Sequence, residues 1–172
     1  MKTVSNATMK TTLNDSRVTT MVQAALIAAV YAALTLPFAP VSYGPIQFRV
    51  SEALTILPYF TSAAVPGVTL GCLLSNILMG SPFPDVIFGT LATLIGAIFS
   101  RMLRKHKYLV CVPPILSNAL IIPWVLKFAY GAEDLVPFMM LTVGIGEVLA
   151  VGVLGNILML ALERCRGVIF SR

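Results

Sequence analysis

Long apolar segments fill most of this 172-residue chain, and proline, glycine, polar or charged residues separate them. Backbone groups in lipid must be hydrogen-bonded within the segment, so spans of this kind form helices. The six segments are Val22–Phe38, Phe48–Phe60, Ala63–Met79, Val86–Leu103, Leu109–Ala129 and Val136–Leu162. The pattern predicts an all-α integral membrane protein with six transmembrane helices.

Composition agrees with a membrane protein, since 58% of the residues are hydrophobic and only 11% are charged. A soluble domain carries about twice that charge. The first apolar segment looks like a signal peptide, but it ends in Pro37 and Pro40 and further apolar segments follow, so we expect it to be retained. The predicted organisation is a cytoplasmic N-terminal segment (1–18), a six-helix membrane domain (19–163) and a cytoplasmic tail (164–172).

The positions of the basic residues predict the orientation in the membrane. The net charge is +5, and ten of the twelve basic residues fall in three clusters, at 2–17, 101–107 and 164–172. Six spans place all three clusters on one side, as the positive-inside rule requires, whereas five would separate them. Both termini are therefore predicted to be cytoplasmic, and the charge indicates topology in a lipid bilayer and no nucleic-acid surface.

The same topology predicts that most acidic residues lie in the outer half of the bundle. Five of the seven lie in outer loops or near outer helix ends: Glu52, Asp85, Glu133, Asp134 and Glu147. Acids within a membrane usually face a protein interior or a water-filled cavity. We therefore expect a functional site in the outer half of the bundle, with Asp85, placed in an outer loop, as a reserve member.

Glu147 is the strongest candidate site residue. It lies eleven residues after Val136, hence ~17 Å below the outer end of the sixth helix. Asn118 lies ten residues beyond Tyr108 on a helix entering from the inside, ~15 Å deep, so the two side chains are predicted to meet. Asn76 of the third helix is predicted at a similar level. A buried carboxylate needs a partner, which here is either another helix or a ligand.

The stretch GPIQFRVSEAL places Gln47, Arg49 and Glu52 at the start of an apolar segment. Arg49 and Glu52 are helical neighbours, so they form either a mutual salt bridge or a pair in which the guanidinium positions the carboxylate for a ligand. Tyr43 and Phe48 are available nearby to stack on a flat ligand or to anchor the helix at the membrane interface.

Small residues recur every four positions in the first segment. Ala25, Ala29 and Ala33 form one stripe, and Ala28 belongs to the stripe beside it. Small residues on one helix face let two helices approach closely in lipid. Spacing alone leaves open whether these stripes pack within the chain or dock another protein.

The cysteines and the histidine carry no recognisable chemistry. Cys72, Cys111 and Cys165 have no regular spacing, and His106 stands alone in the basic loop. We predict no disulfide framework, no metal site and no cofactor.

From SYGPIQFRVSEAL onward the chain resembles the queuosine-precursor transporter (QueT-type) family, substrate-binding S components of energy-coupling-factor (ECF) transporters. The resemblance continues through PGVTLGCLLSNIL, PDVIFGTLATLIGA, PPILSNALI and VGIGEVLAVGVLG, in that order. The GPIQFRVSEAL block is fairly specific, and the others are weaker alone. Together they cover nearly everything after the first twenty residues.

The resemblance implies a six-helix bundle in a bacterial cell membrane that binds a small molecule from outside. The implied ligand is a 7-deazaguanine, above all 7-aminomethyl-7-deazaguanine. Its N–H donors and cationic aminomethyl group suit two acids, for which we predict Glu147 and Glu52, with Gln47 and Asn118 at the carbonyl and ring edge; the sequence leaves open which acid meets which end. The implied partners are a membrane scaffold subunit and two cytoplasmic ATPases. The scaffold is expected to dock on the alanine-rich first helix, at Ala25, Ala28, Ala29 and Ala33. This chain has no G-x-x-x-x-G-K-[ST] motif, which agrees with separate ATPase subunits.

Two other functions are weighed against a solute-binding subunit. An intramembrane enzyme would use Glu147 as acid or base, but the sequence offers no nucleophile–base pair and no metal motif. A small oligomeric channel would place Glu147 or Asp85 in a ring. The alanine stripe and the six-span pattern favour the binding subunit.

Overall fold

The computed structural model describes residues 2–38 and 48–165, and residues 2–15 through their backbone alone. Helices occur at all six predicted positions, and no strand occurs in the described residues. The α-helices are α1 (Lys2–Thr35), α2 (Ala64–Leu78), α3 (Phe83–Met102), α4 (Val112–Ala129), α5 (Val136–Glu147) and α6 (Asn156–Arg164). A 3₁₀ helix (Val50–Tyr59) precedes α2, a short one (Lys107–Leu109) precedes α4, and a π-helical segment (Val148–Gly155) joins α5 to α6. The prediction of an all-helical chain is confirmed.

Four described stretches are long and apolar enough to cross a membrane: Ser16–Thr35, Phe83–Met102, Lys107–Ala129 and Val136–Arg164. The other two predicted spans are shorter. The 3₁₀ helix has ten residues and α2 has fifteen, so each is about 20 Å long against a hydrocarbon core of about 30 Å. Six spans and two cytoplasmic termini therefore stay predictions.

The 3₁₀ helix lies at the centre of the bundle. It packs against α1, α2, α3, the π-helical segment and α6, and eight of its ten residues are buried. Gly155 permits the close approach of the π-helical segment, since a Cβ there would lie 3.0 Å from Cγ2 of Ile56. This central position holds the polar start of the helix away from lipid.

Helices α1 and α2 pack through small residues. A Cβ on Gly67 would lie 3.0 Å from the carbonyl oxygen of Ala24, and one on Gly71 would lie 2.6 Å from Cβ of Tyr31. Gly67 and Gly71 are buried in this contact, and Ser75, four residues further along the same face of α2, is also buried. In lipid no hydrophobic effect drives helices together, so the dispersion contacts made at such close approach hold α1 against α2.

Large apolar side chains project from the outside of the long helices. Examples are Leu26 on α1, Leu91 on α3, Leu120 on α4 and Leu141 on α5, all of them exposed. A soluble monomer rarely exposes apolar surface so widely. The exterior is therefore suited to contact with lipid.

At the end of the bundle that carries the basic loop, polar contacts hold the last turn of the 3₁₀ helix. Nη1 of Arg101 donates to the carbonyl oxygen of Pro58 at 2.8 Å. Lys107 forms an ion pair with Glu163, and the Tyr59 hydroxyl donates to the same carboxylate at 3.3 Å. The opposite end of this helix holds the candidate site.

Candidate functional site

Three buried carboxylates lie in the half of the bundle away from the basic loop. Glu52 is in the first turn of the 3₁₀ helix, Asp85 is in the first turn of α3, and Glu147 ends α5. Their residues are 0%, 1% and 4% exposed. In each carboxylate one oxygen accepts a side-chain hydrogen bond, and the other has no partner among the described residues. Native proteins seldom leave such atoms unsatisfied, because the cost is ~1–3 kcal/mol or more for each group.

Glu147 is bonded to Asn118, as their predicted depths indicated. Nδ2 of Asn118 donates to Oε1 of Glu147 at 2.9 Å, and Oε2 is the unpaired atom. The predicted meeting of these two side chains is confirmed. The residue after Glu147 begins the π-helical segment, and π-helical turns inside α-helices frequently occur at functional sites.

Glu52 is held by Tyr31, a residue that the sequence analysis did not select. The Tyr31 hydroxyl donates to Oε1 of Glu52 at 2.5 Å, and Tyr31 is 1% exposed. The side chains of Thr93 and Asn118 also approach this carboxylate. The available signal was a tyrosine within an alanine-rich apolar run, since a buried tyrosine hydroxyl normally has a hydrogen-bond partner.

Arg49 pairs with Asp85, and the structure shows no ion pair between Arg49 and Glu52. Nη2 of Arg49 lies 4.0 Å from Oδ2 of Asp85, and the Tyr130 hydroxyl donates to the same oxygen at 2.6 Å. The mutual Arg49–Glu52 salt bridge, one of the two alternatives from sequence, is therefore wrong. Helical spacing does not apply, because Arg49 precedes the helix in an extended conformation.

Asp85 lies inside a helix and is buried, so its predicted placement in an outer loop is also wrong. Helix α3 begins at Phe83, after the N-cap residue Pro82, with Pro84 in its first turn. Proline and acidic residues are both favoured in the first turn of a helix. The apolar run that marks the fourth segment starts only after these residues, which is why it gave too late a start.

Among the described residues, the three acids lie around one cation, Arg49. Arg49 and Glu52 both lie close enough to Glu147 to interact electrostatically with it. Arg49 is 7% exposed and forms its ion pair with Asp85. In the described part of the chain, the cluster thus joins three carboxylates to one guanidinium, and buried charges of one sign require compensation.

Asn76 contacts the backbone of the cluster. Its Nδ2 donates to the carbonyl oxygen of Asp85 at 3.4 Å and lies 3.8 Å from Sγ of Cys72. A side chain at Gly89 would lie 2.9 Å from Oδ1, the unpaired oxygen of Asp85. Asn76 therefore supports the position of Asp85, and Gly89 leaves its second oxygen uncovered by a methyl group.

The remaining predicted site residues precede the 3₁₀ helix. Phe48 is half-buried next to Arg49, while Tyr43 and Gln47 lie outside the described residues. Within the described residues, no group of three histidine, cysteine, aspartate or glutamate side chains is placed to hold a metal ion.

The two neighbouring alanine stripes of α1 differ in exposure. Ala25, Ala29 and Ala33 are exposed. Ala28, which the sequence analysis placed on the docking face, is instead 4% exposed, and its backbone carbonyl lies against Gly71. Ala28 therefore packs within the bundle, and the outer alanine face consists of Ala25, Ala29 and Ala33.

Comparison with known proteins gives a family and one relative. A family model described as the QueT transporter matches residues 21–164. The queuosine precursor transporter QueT of Lactococcus lactis subsp. cremoris (strain MG1363) is 41% identical over 85 residues, which cover 48% of this chain and 50% of that protein. The match thus spans about half the length of the relative. No solved structure matches the chain.

Proposed function

Because this chain belongs to the QueT transporter family, we propose that it is the substrate-binding subunit of an ATP-driven ECF-type importer. Its proposed ligand is a queuosine precursor of the 7-deazaguanine type, 7-aminomethyl-7-deazaguanine, taken up from outside. The observation that carries the proposal is the buried cluster of three carboxylates, each with one unpaired oxygen among the described residues.

The chemistry of the cluster suits this ligand. A guanine-like edge offers adjacent N–H donors, and an aminomethyl group carries a positive charge and three more donors. Carboxylates accept both kinds of hydrogen bond, and bonds that involve a charged group are about twice as strong as neutral ones. The acids Glu52 and Glu147 are the proposed ligand contacts, with Asn118 beside them and Phe48 available to cover a flat ring.

The family and the matched relative are both described as transporters. These descriptions support transport and do not support an enzymatic function. We place the chain in the bacterial cell membrane as a six-span protein with cytoplasmic termini. The basic loop at 101–107 then faces the cytoplasm, and the carboxylate cluster belongs to the outer half of the bundle.

We further propose that the outer alanine face of α1 docks the membrane scaffold subunit of the importer. Exposed Ala25, Ala29 and Ala33 leave a smooth surface on which a second helix can approach closely. ATP hydrolysis is assigned to two cytoplasmic partner subunits. Ala28 has no part in this surface, because it is buried against α2.

Calorimetric titration of the detergent-purified protein tests the proposed function. The probes are 7-aminomethyl-7-deazaguanine, guanine and queuine. Submicromolar binding of the first without chemical change supports the proposal, and failure to bind any of the three contradicts it. Conversion of the probe would indicate an enzyme, and ion flux through the protein alone in liposomes would indicate a channel.

A further inference from the structure

The three acids of the cluster have different hydrogen-bond and ion-pair partners, so each is suited to a different part of a ligand. We propose that Glu52, oriented by Tyr31, pairs with the positive charge of the ligand, while Glu147 and Asn118 recognise the edge of its ring. This inference rests on the proposed function and deepens it, since it makes the charge of the ligand a separate determinant of specificity.

Asp85 is the acid least suited to a ligand cation. Arg49 lies 4.0 Å from Oδ2, and the Tyr130 hydroxyl donates to the same oxygen at 2.6 Å. A nearby guanidinium already opposes the negative charge, so a second cation gains less there. The three partners come from α3, from the end of α4 and from the residue before the 3₁₀ helix, so this group joins elements of the fold.

Glu147 and Asn118 together present an acceptor and a donor side by side. Nδ2 of Asn118 carries two hydrogens, and one of them is used on Oε1 of Glu147. The second hydrogen lies near Glu52, which this side chain also approaches. When a ligand binds, that hydrogen can be donated to a ring carbonyl, while the unpaired Oε2 of Glu147 accepts from the adjacent ring N–H. A lactam edge, as in guanine, offers that pair of groups.

Glu52 is better suited than Asp85 to pair with a ligand cation. It accepts a hydrogen bond from the neutral hydroxyl of Tyr31, and Arg49 acts on it only from beyond ion-pair distance, since that guanidinium is paired with Asp85. The hydroxyl occupies Oε1 and fixes the direction of the carboxylate, which leaves Oε2 for a ligand. Tyr31 itself is immobilised, because it packs against Gly71 of α2. Tyr31 is thus a positioning residue and does not need to touch the ligand.

The test compares a cationic ligand with a neutral one of the same ring. The probes are 7-aminomethyl-7-deazaguanine and 7-cyano-7-deazaguanine, which keeps the ring edge but lacks the ammonium group. Affinities for the wild type and for Glu52→Gln, Glu147→Gln and Tyr31→Phe are measured by calorimetry, with the neutral probe in competition. Thr35→Val is the matched control: it removes a buried hydroxyl that lies 2.8 Å from the Ser51 hydroxyl and 2.8 Å from the backbone carbonyl oxygen of Tyr31, but it touches no acid and leaves the Tyr31 hydroxyl in place.

Glu52→Gln is expected to weaken the cationic probe about 30-fold and the neutral probe less than about 3-fold. Glu147→Gln should weaken both probes by similar factors. Tyr31→Phe should lower the ratio of cationic to neutral affinity about 5-fold, the size of one neutral hydrogen bond, and Thr35→Val should leave that ratio unchanged. A melting curve of each variant identifies any that fails to fold.

Equal losses for the two probes in Glu52→Gln would overturn the inference while leaving the proposed function intact. The same holds if the neutral probe does not compete at all with the wild type, because Glu147 and Asn118 should still hold its ring. If Tyr31→Phe leaves the affinity ratio unchanged, its positioning role is wrong. A wild type that binds neither probe would instead contradict the proposed function itself.

Discussion

Asn118 and Glu147 join helix α4 to the last residue of α5 through one hydrogen bond of 2.9 Å between Nδ2 and Oε1. The bond satisfies half of a carboxylate that is 4% exposed and leaves Oε2 without a partner among the described residues. A group of this kind lowers the stability of the free protein and becomes favourable when a ligand donates to it. The unpaired oxygen of Glu147 is therefore expected to lower the stability of the free protein and to raise its affinity for a ligand.

Glu147→Gln is expected to stabilise the free protein while it weakens binding. The amide keeps the shape of the carboxyl and removes the need to bury a negative charge, a gain of about 1 kcal/mol. The rise in melting temperature on addition of 7-aminomethyl-7-deazaguanine should shrink, because a ligand contact of about 2 kcal/mol is lost. Thermal unfolding with and without the ligand measures both effects.

Asn118→Ala is the companion variant for that prediction. It removes the donor to Oε1, so neither oxygen of Glu147 keeps a hydrogen-bond partner among the described residues, and both the melting temperature of the free protein and the affinity should fall. If Glu147→Gln also destabilised the free protein, the carboxylate would be a structural group and its assignment to a ligand would fail.

Arg49 and Asp85 are expected to be coupled in stability. Arg49→Met should destabilise the protein by about 3 kcal/mol, because it leaves Asp85 buried without its cation. Adding Asp85→Asn should recover part of that loss, with a coupling free energy of about 1–3 kcal/mol in a double-mutant cycle. The fluorescence of Trp124, the single tryptophan, reports unfolding. Strictly additive losses would show that the 4.0 Å contact carries no energetic coupling.

Ala29→Trp is expected to abolish co-purification with the scaffold subunit and to leave ligand affinity unchanged. The bulky ring would hold a partner helix away from the outer alanine face. Ile95→Trp on α3 is the control, since Ile95 is 40% exposed and lies on a different helix. Normal assembly of the Ala29 variant would exclude this face, and equal loss in both variants would point to a general effect of tryptophan.

Gly71→Ala is expected to destabilise the contact between α1 and α2. The added methyl would lie 2.6 Å from Cβ of Tyr31, so one helix must move, at a cost of about 1–3 kcal/mol. Because Tyr31 moves with it, ligand affinity should fall as well. Gly144→Ala is the control: its nearest neighbour would be at 3.7 Å, and alanine favours the helix by up to about 1 kcal/mol. Melting curves that reversed this order would contradict the packing described for Gly71.

Much of the fold could be predicted because lipid imposes a simple rule on the chain. Apolar segments separated by breakers located all six helical regions, and the starts of α2 and α5 were predicted to within one residue. Periodicity was less informative about helix type, since nothing local distinguishes the 3₁₀ helix or the π-helical segment from an α-helix. Their geometry is set by neighbours such as Ile56 and Gly155, which contact each other across the bundle.

The candidate site was predicted in part for the same reason. A lone glutamate in an apolar helix must have a partner, and its depth pointed to Asn118. The partners of Glu52 and Asp85 were not predicted, because Tyr31 and Tyr130 lie 21 and 45 residues away in sequence. A tyrosine in an apolar run is equally compatible with a membrane interface, so spacing gave no reason to choose either one.

The sequence by itself determined that this chain is helical and where its helices lie, because leaving backbone groups unbonded in lipid has a large cost wherever it occurs. Only the tertiary structure decided which polar groups meet. It paired Arg49 with Asp85, gave Glu52 to Tyr31, and turned Ala28 inward while Ala29 faces outward. Such pairings depend on how helices pack across the bundle, and a difference of one residue in helix rotation changes every partner.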